Sequence, residues 1–406
     1  MTDKELRQPP PGQPASVIRP HRIISAQIHA LAQVVRKRLH HTLFWLRMQR
    51  KFIFLLSLLA VIVIFNFLLP GHPDMVRWYN ARIFKPFQNV RNFLFGHVPF
   101  SIGDLLYVFL ILLLITVCIR WLYFLFHIRS EARYFGASVL NSINVLVFFY
   151  VIFFLGWGGN YYKPPLAKYW GLDTKQWQAG NGIFEFDKFL IDRLNQLVPD
   201  YQPEYFKATN RQAKLYYQQF TNSKTRLHGL NAKPSMFGYF MQYLGIQGYY
   251  NPITGEAQVN RFLPAFMLPF VVCHEMAHQS GIAAEGDANL LAYALCTQSG
   301  NKTFAYSGYF NIWLYTHNRA MQLDSNRAKQ AFLALNPVSS AQVDTLREIR
   351  HRYKGLVNKV SGELYDSYLR WHNQKEGIDS YFKVIKSAWA FEQHRKTGTV
   401  AVLRIP

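Results

Sequence analysis

The chain has 406 residues, enough for one large core or for a membrane module joined to one soluble domain. Half of the residues are hydrophobic and 16% are aromatic, which is high for a soluble enzyme and ordinary for a mixed membrane protein. The formal charge of +22 admits a nucleic acid or a membrane surface as partner. Residues 1–51 hold 10 Lys/Arg against 2 acids, while the 28 Lys/Arg and 18 acids after residue 158 form no dense basic stripe, and that distribution argues against nucleic acid.

Residues 1–20, with Pro9, Pro10, Pro11 and Pro14, are predicted to be disordered. Arg36, Lys37, Arg38, Arg47, Arg50 and Lys51 then crowd the approach to the first apolar run, Phe52–Leu69. About 50 polar and basic residues before that run argue against a cleaved signal peptide. Two further apolar runs extend from about Leu105 to Phe126 and from about Val139 to Trp157. Each is near the length a helix needs to cross hydrocarbon, and none shows the polar face of a soluble helix. The positive-inside rule places the N-terminus in the cytoplasm, the loop Pro70–Gly103 outside and, after an odd number of spans, everything beyond Trp157 outside. Arg120 can snorkel to the cytoplasmic side. The division expected is a basic cytoplasmic tail (1–50), a three-helix membrane module (51–158) and an extracytoplasmic domain (159–406) of a multi-pass inner-membrane protein, its first partner the lipid bilayer.

Trp157 to Leu166 reads as a turn-rich exit whose Trp and Tyr suit the membrane interface. Residues 185–199 and 203–222 read as amphipathic helices. Tyr249 to Gly255 has turn chemistry, and 256–260 alternates as a short strand. Pro264 and Pro269 bracket the start of a helix that runs to about Ser280, with Gly281 as its natural stop. Another helix covers 285–298. From about 308 the chain is mostly helical, with breaks at Asn336-Pro337 and near Gly377. Cys273 and Cys296 read as two small buried thiols or as one disulfide, and no Cys-x-x-Cys pair offers a thiolate zinc site.

The chemistry concentrates on the helix before Gly281. His274 and His278 are four apart, share a helical face, and can reach one ion. Glu275 is offset around the helix, where it can act as a base without being a ligand. A catalytic zinc needs a third protein ligand. Glu285 opens the next helix, which can fold back over the first, and Asn289 shares its face as a group that could hydrogen-bond a liganding imidazole. Asp287 is the rival third ligand. The run Phe266–Cys273 is almost wholly apolar, so the motif helix is expected to be buried, where unpartnered His and Glu would be costly.

Three segments, Cys273-His-Glu-Met-Ala-His-Gln-Ser-Gly281, Glu285-Gly-Asp-Ala-Asn289 and Tyr306-Ser-Gly-Tyr309, resemble the bacterial membrane protein family called domain of unknown function 3810. Gly248 to Asn260 and the exit segment Trp157–Leu166 resemble it as well. The resemblance implies a membrane-anchored, zincin-like protein. The order His-Glu-x-x-His then Glu-x-x-x-Asn is also similar to gluzincins, the prenyl-protein endopeptidases among them, where the first Glu of Glu-x-x-x-Asp binds zinc. That role maps to Glu285, with Asn289 in place of the Asp. The short spacing from His278 is similar to metzincins, whose third ligand would fall at Ala284, a residue that cannot bind metal.

The expectation is three transmembrane α-helices plus a mainly helical α+β zincin-like domain that binds Zn²⁺ through His274, His278 and Glu285. In this reading the zinc activates water, Glu275 is the base, and Tyr306 or Tyr309 donates to the oxyanion. Core packing is the other reading of both tyrosines. The strand at 256–260 would hold an extended peptide or protein substrate by main-chain pairing. A non-proteolytic zinc-binding sensor or assembly factor, and a hydrolase of non-peptide amides in the cell envelope, are the alternatives.

Overall fold

The computed structural model describes residues 20–177, 180–220, 227–353, 380–396 and 404–406. The Pro-rich residues 1–19 and the break expected near Gly377 lie outside them. Among the described residues the chain is mainly helical, with one small sheet. Three of the described helices are long and apolar enough to cross a membrane: α1 (Pro20–Leu68, apolar from Phe52), α4 (Ile102–Phe126) and α5 (Ile128–Gly156). They coincide with the three apolar runs, and the fit is to a membrane protein. Both α1 and α5 begin well before those runs, because Arg, Lys and Glu are good helix formers and extend each helix past its apolar part.

The connection between α1 and α4 was expected only as a loop. Instead it carries α2 (Pro73–Tyr79), a π-helical turn (Asn80–Phe84) and α3 (Lys85–Phe95). α3 is inside out. Gln88, Arg91 and Asn92 are buried, whereas Phe87, Val90, Phe93 and Leu94 are exposed.

Beyond α5 come a 3₁₀ turn (Gly158–Tyr162), the short α6 (Leu166–Tyr169), α7 (Asn181–Leu197), α8 (Phe206–Phe220) and α9 (Gly238–Leu244). The helices that matter for the site are α10 (Leu268–Gln279), α11 (Glu285–Gln298) and α12 (Lys302–Leu323). α13 (Ser325–Phe332), α14 (Pro337–Arg352) and α15 (Ser380–Lys396) follow among the described residues. A break at Asp324 was not expected; its carboxylate accepts from the amides of Asn326 and Arg327 and so starts α13.

α10 and α11 sit at the centre of the main core. Val272, Cys273, Met276 and Ala277 of α10 meet Ala288, Leu291, Ala292 and Leu295 of α11 within it, all fully buried. Burying each large aliphatic side chain contributes roughly 1.5–3 kcal/mol. Cys273 and Cys296 are both free and buried, the thiol of one hydrogen-bonded to the other.

The sheet has the order β1 (Ala232–Pro234), β3 (Glu256–Val259), β2 (Gly248–Asn251), with β3 parallel to β1 and antiparallel to β2. The segment read as a turn from Tyr249 is therefore strand up to Asn251. The turn follows, and the Asn251 side chain accepts from the amides of Ile253 and Thr254.

This sheet is fastened to the membrane-length helices at two points. At the start of α4, the amides of Ile102 and Gly103 donate to the Glu256 carboxylate, which also accepts from Lys233 Nζ at 2.7 Å. Asp104 accepts from the Met236 amide, Ser235 Oγ and the Tyr249 hydroxyl. At the end of α5, Arg91 donates to the Gly156 carbonyl at 3.0 Å and to Pro252 in the β2–β3 turn. Polar contacts thus run straight across residue 158, and residues 70–103 pack with both parts.

Candidate metal centre

α10 begins where its sequence predicts, with Pro269 in the first turn, where a missing amide N–H costs nothing. The Phe270 amide donates to Ser307 Oγ of α12 at 3.1 Å, so the buried helix start is satisfied by its neighbour. The helix ends at Gly281, whose φ of 93° is open to glycine and strained for other residues. The Ile282 amide then returns to the Ala277 carbonyl at 3.1 Å. This tight stop, and a bend of only three more residues, bring Glu285 at the first turn of α11 back over His274 and His278.

Three ligand-type atoms converge. His274 Nε2 lies 3.1 Å from His278 Nε2 and 3.2 Å from Glu285 Oε2, and His278 Nε2 lies 3.4 Å from Glu285 Oε1. Tetrahedral zinc with bonds near 2.1 Å separates its ligands by roughly 3.4 Å. The donor set and its spacing therefore fit a zinc-sized ion. His278 Nδ1 is 2.8 Å from the Ile282 carbonyl, which fixes the tautomer that turns Nε2 toward the cluster. The orienting partner is this carbonyl; among the described residues no hydrogen bond joins Asn289, which is buried on α11, to either imidazole.

Burial opposes a charged His278, but the adjacent Glu285 carboxylate outweighs it and holds the imidazole at about 9. Burial likewise opposes the Glu285 charge, and His278 with His274 overcomes it, holding that carboxyl well below the usual range. Glu275 stands beside the cluster rather than in it. Burial lifts its carboxyl to about 7 against the pull of the two imidazoles. Its Oε2 is buried with no hydrogen-bond partner among the described residues. Asp287 faces away, with the Leu166 amide as its hydrogen-bond partner and Lys383 nearby. Between the rival carboxylates, the geometry brings Glu285 to the imidazoles.

Two expected contributions are not part of this constellation. The Tyr306 hydroxyl is engaged with Ser339 and Gln342, 2.6 Å from each, and Tyr309 accepts from Arg395 at 3.2 Å. Both tyrosines pack in the core that α12 builds. β3 is the central strand, with both edges paired, so it has no edge to offer a peptide. The strand at the sheet edge beside the site is β2.

Three neighbours were not foreseen as parts of the site. Gly248 of β2 passes so close that a Cβ there would stand 2.5 Å from Glu275 Oε1. The Trp157 ring meets His278 edge-on at 5.9 Å and packs on Tyr250 at 4.4 Å. Lys163 donates to the Gly281 carbonyl at 2.9 Å, its charge disfavoured by burial and by Lys85. The sequence marked Trp157 only as an interfacial residue and gave no sign that Gly248 touches the motif helix.

The fold and the site define a class: a mainly helical protein with three membrane-length helices, and a His-His-Glu cluster seated where those helices end. The chain belongs to the family described as protein of unknown function (DUF3810), whose model matches residues 79–388. That match begins in α2 and crosses the junction at 158, as the contacts do. No curated protein and no solved structure matches the chain.

Proposed function

We propose that this chain is a membrane-anchored, zinc-dependent hydrolase of peptide bonds with a zincin-like arrangement, working at the outer face of the cytoplasmic membrane. One observation carries the reading. A three-ligand cluster of zinc dimensions stands beside a carboxylate, Glu275, that is not needed as a ligand and has a buried oxygen without a partner. Buried carboxylate oxygens are seldom left so, and a water polarised at the cluster is the natural partner.

Bound zinc supplies Lewis-acid activation of water and of the scissile carbonyl. The protein does the rest. His274, His278 and Glu285 hold the ion, and the Ile282 carbonyl orients His278. Glu275 takes a proton from water as its oxygen adds to the carbonyl carbon. It returns that proton to the nitrogen as the C–N bond breaks, leaving a carboxylic acid and an amine. A carboxyl lifted to about 7 by burial suits a base that works near neutral pH. β2, at the sheet edge next to Glu275, offers main-chain groups to an extended peptide.

The test uses the full chain in detergent, because residues 70–103 and the end of α5 are built into the site's surroundings. Metal content is measured for the protein and for Glu275→Gln, together with cleavage of a peptide library. The expected result is about one zinc per chain in both, with turnover lowered roughly 10²–10⁴-fold in the variant. Loss of zinc in Glu275→Gln makes that residue structural. Zinc retained with activity unchanged removes hydrolysis through Glu275, and the sensor or assembly reading takes its place.

A further inference from the structure

The centre lies beside the end of a membrane-length helix. Trp157 directly follows α5, and its ring touches His278. A second, smaller core joins Leu69 at the end of α1 and Phe154 of α5 with Phe84, Trp157 and Ala283, the last of these lying between His278 and Glu285. The bend that presents the ligands therefore rests on the ends of two membrane-length helices. α3 lies beside it with the wrong polarity for water. Phe87, Val90, Phe93 and Leu94 face outward, while Arg91 and Asn92 face in, toward the β2–β3 turn and Gln279 of α10. Phe87 lies against Gly156 at the end of α5, so this apolar face adjoins a membrane-length helix and suits a lipid surface, while its inward polar groups bind the site-bearing domain.

We infer that the substrate is a polypeptide tethered to the bilayer by an apolar anchor, cut close to the point where the anchor leaves the hydrocarbon. The inference rests on the hydrolase reading, and the water consumed and the C–N bond broken are those given above. The centre is about one aromatic ring beyond the end of α5, and an extended chain that leaves the hydrocarbon beside that helix end covers on the order of 10 Å in roughly three residues. Tethering also raises the local substrate concentration to the millimolar range, so the site can work with few contacts to the peptide itself.

The experiment uses the zinc-loaded full chain in vesicles of phosphatidylethanolamine and phosphatidylglycerol. Peptides of randomised sequence are offered in three forms: free in solution, carrying an N-terminal diacyl chain, or extending from a transmembrane helix. Cleaved bonds are located by mass spectrometry. Anchored peptides are expected to be cut at least 100-fold faster than free ones, at bonds within roughly two to six residues of the anchor. Which anchored form is cut separates a lipid anchor from a membrane-spanning one. Free and anchored peptides cut at equal rates, or anchored peptides cut only beyond about 15 residues from the bilayer, overturn the inference and leave the hydrolase reading standing. If no form is cut although zinc is bound, the hydrolase reading fails and the inference falls with it. A second variant isolates the membrane contact. Phe93→Glu with Leu94→Glu lies away from the ligands and should lower cleavage of anchored peptides several-fold while zinc content stays the same. Unchanged cleavage of anchored peptides in that variant contradicts the lipid-facing role of α3.

Discussion

Gly248→Ala is a small change with a large expected effect. The added Cβ would stand 2.5 Å from Oε1 and 2.7 Å from Cγ of Glu275, and 2.8 Å from the Gln258 carbonyl. Carbon contacts prefer about 3.5–4.0 Å, so something must move by about 1 Å. The pairing of β2 with β3 fixes Gly248 from one side, and helical backbone fixes the Cα of Glu275 from the other. The glutamate side chain is the part free to turn. Displacing a catalytic group by 1 Å costs on the order of 10²-fold in rate. Overpacking costs about 1–3 kcal/mol, which lowers the thermal midpoint by roughly 2–10 °C. The zinc ligands do not touch the new methyl, so metal content should stay near one per chain. Turnover on the peptide library, metal analysis and a melting curve measure the three quantities. Gly136→Ala, where a Cβ meets nothing within 4 Å, is the control. Full activity in Gly248→Ala would refute the placement of β2 against the base, and zinc loss would show that the strand supports the ligands instead.

His274→Ala or His278→Ala should abolish zinc binding, and Glu285→Ala should weaken it strongly, whereas Asp287→Asn should keep it; the reverse pattern in metal titrations would reassign the third ligand. Zinc affinity should rise about tenfold per pH unit from pH 7 to about 9 and then level off, because His278 holds its proton up to about 9 in the free protein and zinc must displace it; a flat profile over that range contradicts the His278–Glu285 coupling. Lys233→Met strands a buried Glu256 and should destabilise by about 3–5 kcal/mol in denaturant melts. Adding Glu256→Leu should restore only part of this, since the amides of Ile102 and Gly103 then lose their acceptor.

The three membrane-length helices were legible because nothing else in the sequence runs so far without a polar face. α10 and α11 were legible down to their ends, since Pro269, Gly281 and the acidic start at Glu285 each act through local backbone chemistry. α3 was not. Its buried positions hold Gln88, Arg91 and Asn92, whose partners are Gly255, Pro252 and His228, all more than 100 residues away in sequence. A pattern of apolar-in and polar-out cannot describe such a helix. β2 was hidden for another reason: Tyr249 and Tyr250 favour a strand, but Asn251, Pro252 and Gly255 directly after them carry a turn signal that masked so short a segment. The cluster of His274, His278 and Glu285 was legible because all three sit within 12 consecutive residues. The surroundings of Tyr306 were not, since Ser339 and Gln342 come from another helix.

The start of α4 has a consequence for how the molecule is assembled. Its first-turn amides find their acceptor in Glu256, 153 and 154 residues further along the chain. During synthesis α4 enters the membrane long before that carboxylate exists, and until then water must serve those amides. The end of this helix is therefore completed late, by a long-range closure whose entropy rises slowly with the length of the loop. Insertion and maturation become separate events. A chain that cannot form the sheet leaves those amides without their carboxylate and α4 frayed at its start.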